Sequence, residues 1–111
     1  MTEFEKIIAA IEPFGFPYAP DIYEGGEESF FVYNYADERA VFYADNAPAA
    51  VKASVQVHLY IPAERNFIVL KNKIREALFR QGFTYPEITV LREEKKRHIV
   101  FECDIEEEKE E

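Results

Sequence analysis

The segment that most constrains this chain is residues 51–61, where Val51, Ala53, Val55, Val57, Leu59 and Ile61 alternate with Lys52, Ser54, Gln56, His58 and Tyr60. Successive side chains of a strand point to opposite faces, so the pattern demands one buried face and one more polar face. A sheet that keeps one face wet is characteristically antiparallel. Pro62 closes the strand, since proline has no amide hydrogen for a further rung.

Helical periodicity brackets this strand. Phe4, Ile7, Ile8 and Ile11 fall at i, i+3, i+4 and i+7, and Thr2 precedes Glu5 at the spacing of a capping box, so a short helix starts there and ends at Pro13. Phe67, Leu70, Ile74, Ala77 and Leu78 mark the apolar stripe of a second helix that stops at Gly82 and carries Lys71, Lys73, Arg75 and Arg80 on its other side. Between the helices, the three prolines of residues 13–20 predict an ordered aromatic loop. A brief strand at Ile22 and Tyr23 is expected before the Gly25-Gly26 turn, then a strand over residues 29–36. Residues 40–48 read as a strand or extended arm beside the turn-like pair Asp45-Asn46. The last third reads as a hairpin, with strands at 87–92 and 97–105 and a polar turn at 93–96.

The order α-β-β-β-α-β-β, without regular alternation of strand and helix, predicts an α+β fold with two helices on one face of a mainly antiparallel sheet. With 111 residues, one domain over residues 1–105 is expected, followed by a mobile acidic tail at 106–111 that holds no apolar side chain. No stretch approaches the roughly 18 uncharged apolar residues of a membrane helix. Glu3, Glu5 and Glu12 occupy the region where a signal peptide is basic, so an unexported, membrane-free protein is expected.

Charge is segregated along the chain. Residues 1–64 hold 3 basic and 11 acidic side chains (net −8), residues 65–97 hold 9 and 4 (+5), and residues 98–111 hold 1 and 7 (−6), giving −9. Such acidity argues against binding bare nucleic acid, which needs Lys and Arg to neutralise phosphates. The basic run Arg92, Lys95, Lys96 and Arg97 is interrupted by Glu93 and Glu94 and lacks the aromatic run of an RNA-binding sheet. Segregated charge suits a protein that packs against copies of itself, though solvated clusters on a helix and hairpin give the same pattern.

Few residues offer chemistry. Cys103 and His98 lie at odd and even positions of one strand, which face opposite sides, so they form no nucleophile and base pair. Cys103 shares its parity with Ile99, Phe101 and Ile105 and reads as a core residue. His58 and His98 could share a metal with Asp45 or Asp104, but no metal-binding spacing supports this, and no cofactor is expected. Gly25-Gly26 lacks the further glycines and the Lys-Ser/Thr pair of a phosphate loop. The unabsorbed feature is aromatic: Phe14, Phe16, Tyr18, Tyr33, Tyr35, Phe42, Tyr43, Tyr60, Phe83 and Tyr85 all lie outside the helices. Tyr33, Tyr35 and Phe83 are assigned to the core. Phe42, Tyr43, Asp45 and Asn46 on the arm, with Lys71, Lys73 and Arg75 on the second helix, are the candidate contacts to a partner.

The succession Phe16-Pro17-Tyr18-Ala19, Phe31-Val32-Tyr33-Asn34-Tyr35, Tyr43-Ala44-Asp45-Asn46-Ala47-Pro48, Val55-Gln56-Val57-His58-Leu59-Tyr60 and Arg97-His98-Ile99-Val100-Phe101-Glu102 resembles the tail terminator group of long-tailed bacteriophages and prophages of Gram-positive bacteria. The resemblance spans residues 4–103 and rests on order and spacing. It implies an α+β subunit without catalytic residues that forms a hexameric ring on the tail tube and meets the head's neck proteins. By the same resemblance, the subunit would work in the bacterial host cytoplasm during assembly and in the virion tail afterwards. Head-completion proteins of the same gene module share the small size and acidity. An acidic DNA mimic that inhibits a DNA-binding enzyme is a reading from another class, opposed by the +5 of residues 65–97.

Overall fold

The computed structural model describes residues 2–44 and 47–108. Helix α1 (Glu3–Ile11) opens on the expected capping box: the Glu5 amide donates to Thr2 Oγ1 at 3.2 Å, and the Thr2 amide donates to Glu5 Oε1 at 3.1 Å. It runs into a single 3-10 turn (Glu12–Phe14) that Pro13 permits, and Gly15 ends this turn in the left-handed region at φ 82°. Strands β1 (Tyr18–Pro20), β2 (Phe30–Ala44) and β3 (Ala47–Pro62) follow, then helix α2 (Ile68–Arg80) and the hairpin β4 (Glu87–Glu93) and β5 (Lys96–Glu108).

The five strands form one sheet in the order β1-β2-β3-β5-β4, antiparallel throughout except for the short parallel pair β1 and β2. This is the expected α+β class with the expected element types, and three local readings change. The first strand sits at Tyr18–Pro20 inside the proline-rich loop, where the extended geometry of Pro17 and Pro20 suits an edge strand; Ile22 instead is 67% exposed. The segments 29–36 and 40–48 are parts of one hairpin, since register shifts between Tyr35 and Asp37 and again near Phe42 carry β2 through the polar triplet Asp37, Glu38, Arg39. Strand β5 continues past Ile105, with Glu106, Glu107 and Glu108 paired to Lys52, Val51 and Ala50; residues 109–111 lie outside the described residues.

The odd positions of residues 53–61 do what their alternation requires. Ala53, Val55, Val57, Leu59 and Ile61 are at most 1% exposed and meet Ile99, Phe101, Cys103 and Ile105 of β5 and Phe31 and Tyr33 of β2. Ile7, Ala10 and Ile11 of α1, Ile74 and Leu78 of α2, and Phe83 close this core from one side. Tyr35, assigned to the core from sequence, is 45% exposed: it lies against the first turn of α1, stacks on Phe4 at 4.7 Å and donates its hydroxyl to Glu3 at 2.9 Å.

The molecule measures 54 × 25 × 24 Å, with a radius of gyration of 15.3 Å where about 13 Å is usual for a chain this long. The elongation follows from the β2–β3 hairpin. Strand β5 supports β3 only as far as Ala50, and β1 supports β2 only from Phe31 to Tyr33, so beyond Ala50 the hairpin continues as a two-stranded arm.

Candidate functional site

Two surfaces stand out, one on each side of the sheet. On the helix side, α1 and α2 leave a groove of about 640 Å³ whose floor and walls include Ala9, Ala10, Phe14, Val69 and Ala77, with Lys73, Glu76 and Arg80 on its rim. Helix α2 buries only Ile74 and Leu78, so Ile68, Val69 and Phe79 stay at least half exposed despite being large apolar side chains. Single exposed apolar residues are ordinary; three on one helix beside an apolar groove indicate a surface with room for a partner.

The sequence grouped Lys71, Lys73 and Arg75 as one set, and the helix separates them. Lys73 faces the groove with Arg80. Arg75 lies across the ring of Tyr85, 5.1 Å from its centre, and Lys71 donates to Asn72 Oδ1 at 3.0 Å. Phe42 and Tyr43 are on the arm's strand, paired in register with Ala50 and Pro48. Asp45 and Asn46 lie outside the described residues. The arm root is acidic, with Asp37 and Glu38 on β2 and Asp104 and Glu106 on β5, offset by Arg39 and Lys52; Arg39 pairs with Asp37 at 2.8 Å and Lys52 with Asp104 at 3.5 Å. Basic charge is less concentrated than the linear sum implies, because Glu93 and Glu94 share the β4–β5 hairpin end with Lys95, Lys96 and Arg97.

The opposite face of the sheet carries no helix among the described residues. A ladder of rings crosses it: Tyr23 on Phe30 at 4.4 Å, Phe30 on Tyr60 at 4.9 Å, and Tyr60 on His98 at 4.2 Å with the planes 13° apart. A cleft of about 290 Å³ opens beside it, lined by Asp21, Ile22, Tyr23, Val32, Asn34 and His58. The sequence presents His58 and His98 as separate surface side chains. The β3–β5 register makes them diagonal neighbours instead, with His58 Nδ1 2.8 Å from His98 Nε2. Parity places both on the polar face; only the pairing register brings them together. From His58 a chain of side chains runs through Asn34 and Gln56 to Glu102.

Burial is the main influence holding both imidazoles below their ordinary value; the neighbouring His98 adds to it for His58, while Glu102 opposes it there and Glu93 opposes it at His98. Cys103 sits on the other face, in the core, where burial and then Asp104 push its thiol up to about 12; it is no nucleophile in this state. Among the described residues no three His, Cys, Asp or Glu side chains gather at metal-binding geometry, and no helix is long and apolar enough to cross a membrane. No protein-family model matches the chain, and no curated protein matches it.

Proposed function

We propose that the chain is a non-enzymatic structural subunit that assembles with copies of itself, as a tail terminator does in forming a ring at the end of a phage tail tube. The observation that carries the self-assembly is the arm. An isolated two-stranded hairpin is at best marginally stable in water, and this one sets Phe42, Tyr43 and Ala44 in register with Ala50, Pro48 and Ala47, in segments whose apolar sequence is suited to burial. A second subunit supplies the missing cover. The fitting receptor is the α1–α2 groove of a neighbour, lined mainly by apolar side chains, with Lys73 and Arg80 beside Glu76 on its rim to meet the acidic arm root. Arm and groove are different surfaces, so the contact is head to tail and closes into a ring when the rotation per subunit allows.

The phage assignment rests on the ordered motifs of residues 4–103. In that setting the ring caps the tube in the host cytoplasm, offers its outer surface to the neck, and stays in the virion tail. Size-exclusion chromatography with light scattering, run over a concentration series at low and high salt, tests the assembly. The expected result is a discrete ring-sized oligomer that salt weakens. A strict monomer at every concentration and both salts refutes self-assembly.

A further inference from the structure

We infer that His58 and His98 form a proton-linked switch on the open face of the sheet, in which His98 Nδ1 takes up a single proton and thereby engages Glu93 at the β4–β5 turn. The inference stands apart from the assembly reading and depends only on this face.

Glu102 ends the chain of side chains, and a carboxylate oxygen accepts. Gln56 Nε2 therefore donates to Glu102 Oε1 at 3.3 Å, which turns Gln56 Oε1 toward Asn34 Nδ2, also at 3.3 Å. Asn34 Nδ2 donates again to the Tyr35 carbonyl at 3.1 Å, fixing Asn34 Oδ1 as the acceptor that faces His58 Nε2 at 3.0 Å. His58 thus carries its proton on Nε2 and presents a lone pair at Nδ1. That lone pair accepts from His98 Nε2–H across 2.8 Å.

The ring positions agree. Each nitrogen lies about 1.1 Å from its ring's centre, and the two centres are 5.0 Å apart, so a 2.8 Å nitrogen separation leaves the rings head-on around one shared proton. Every direction in the chain is then set, and neutral His98 is left with a bare lone pair at Nδ1. This atom is buried without a hydrogen-bond partner and lies 3.8 Å from Glu93 Oε1, beyond hydrogen-bonding reach but within that of an ion pair. Lone pair and carboxylate repel; a proton on Nδ1 turns the repulsion into a charge-assisted contact.

Other groups set the limits of the switch. Tyr60 stacks on His98 from β3, Leu91 lies opposite it on β4, and Lys96, two residues earlier on β5, points its ammonium at the Phe30 ring 5.6 Å away. Asp21 faces the cleft beside His58, and Glu102 closes the far end of the chain. Glu93 is the acceptor placed at the vacant nitrogen, so the first proton goes to His98 and draws the β4–β5 turn onto the ring ladder. A second proton, on His58 Nδ1, would set N–H against N–H and sever the pair. The device takes one proton to tighten and a second to open.

The test is two-dimensional NMR of ¹⁵N-histidine-labelled protein, correlating ring nitrogens with ring protons across a pH titration, on the wild type and on Glu93→Gln and Asn34→Ala. Both rings are expected in the Nε2–H tautomer at neutral pH, with His98 Nδ1 protonating before His58. Glu93→Gln, at an exposed turn position, should shift the His98 midpoint downward and leave the fold intact. Asn34→Ala frees His58 to change tautomer. An Nδ1–H tautomer on either ring of the wild type, or a His98 midpoint unmoved by Glu93→Gln, overturns the inference.

Discussion

Leu78 and Phe79 are consecutive on α2 and live in opposite surroundings, Leu78 at 0% exposure and Phe79 at 50%. Leu78→Ala removes side-chain carbons from the core and leaves a cavity; such changes cost about 2 to 5 kcal/mol according to how far the surroundings settle. Ile74 and Leu78 are the buried side chains of α2, so the helix can settle toward the gap. That places the cost near 3 kcal/mol rather than 5. At about 4 °C per kcal/mol for a domain of this size, the melting temperature falls by about 12 °C. Phe79→Ala forfeits only half a buried ring and an edge-on contact with Tyr85 at 5.5 Å, a loss of about 1 kcal/mol. Thermal unfolding followed by circular dichroism, at low protein concentration and high salt to keep subunits apart, measures both. Equal losses for the two variants would refute the packing argument. A Phe79→Ala loss that grows with protein concentration would place Phe79 in a subunit contact.

Three further outcomes follow from single side chains. Cys103, with its thiol raised to about 12, should not react with a thiol reagent at pH 8 in the folded protein and should react fully in denaturant; fast native labelling would show that the core opens. Thr2→Ala should cost about 1 kcal/mol through the lost cap. Glu5 is held below the ordinary carboxylate range by the Thr2 amide and then the Thr2 hydroxyl, so its contribution is present above the unfolded value and lost as pH falls through the folded one; alanine keeps the amide, so Thr2→Ala should reduce that acid-side slope only in part in denaturant titrations. Gly82→Ala should destabilise by about 1 kcal/mol although the added carbon meets only Ile105 Cδ1 at an ordinary 3.7 Å, because φ is +103° there; an unchanged melting temperature would mean that the turn relaxes.

What the sequence reveals and what it hides divides along the range of the interactions involved. The capping box and the period-2 run of residues 51–61 are local patterns with one physical solution, and both are legible from the order of residues alone. The arm is half legible: residues 40–48 read as extended, but three charged residues in succession at 37–39 look like a break, since bulges that carry a strand through them leave no signature of their own. The His58–His98 pair is illegible for another reason. Positions 40 residues apart meet only through the β3–β5 register, and shifting that register by two rungs keeps every apolar side chain on its face while parting the histidines. The separation of Lys73 from Arg75 is available from helical geometry, since residues two apart stand on different faces.

The arm is the sharpest place to test assembly. Strand pairing in the body is held by burial on the helix face, whereas beyond Ala50, which still pairs with Glu108, residues 43–44 and 47–48 pair only with each other among the described strands. In a separated subunit the opening free energy of this hairpin should be small, and its amides should exchange rapidly. Residues 55–61, which have strand neighbours on both edges as far as Tyr60 and the core beneath, should exchange only on global unfolding. Hydrogen exchange read by mass spectrometry, at high salt in dilute solution and then at low salt in concentrated solution, separates the two segments. Seating the arm in a neighbour's groove should slow its exchange by at least about tenfold while leaving residues 55–61 unchanged. If the arm is already as protected as residues 55–61 in the separated subunit, it needs no partner and the physical case for head-to-tail assembly falls. If assembly occurs and the arm stays unprotected, subunits meet through another surface, and the exposed side chains Ile68, Val69 and Phe79 of α2 are the place to look.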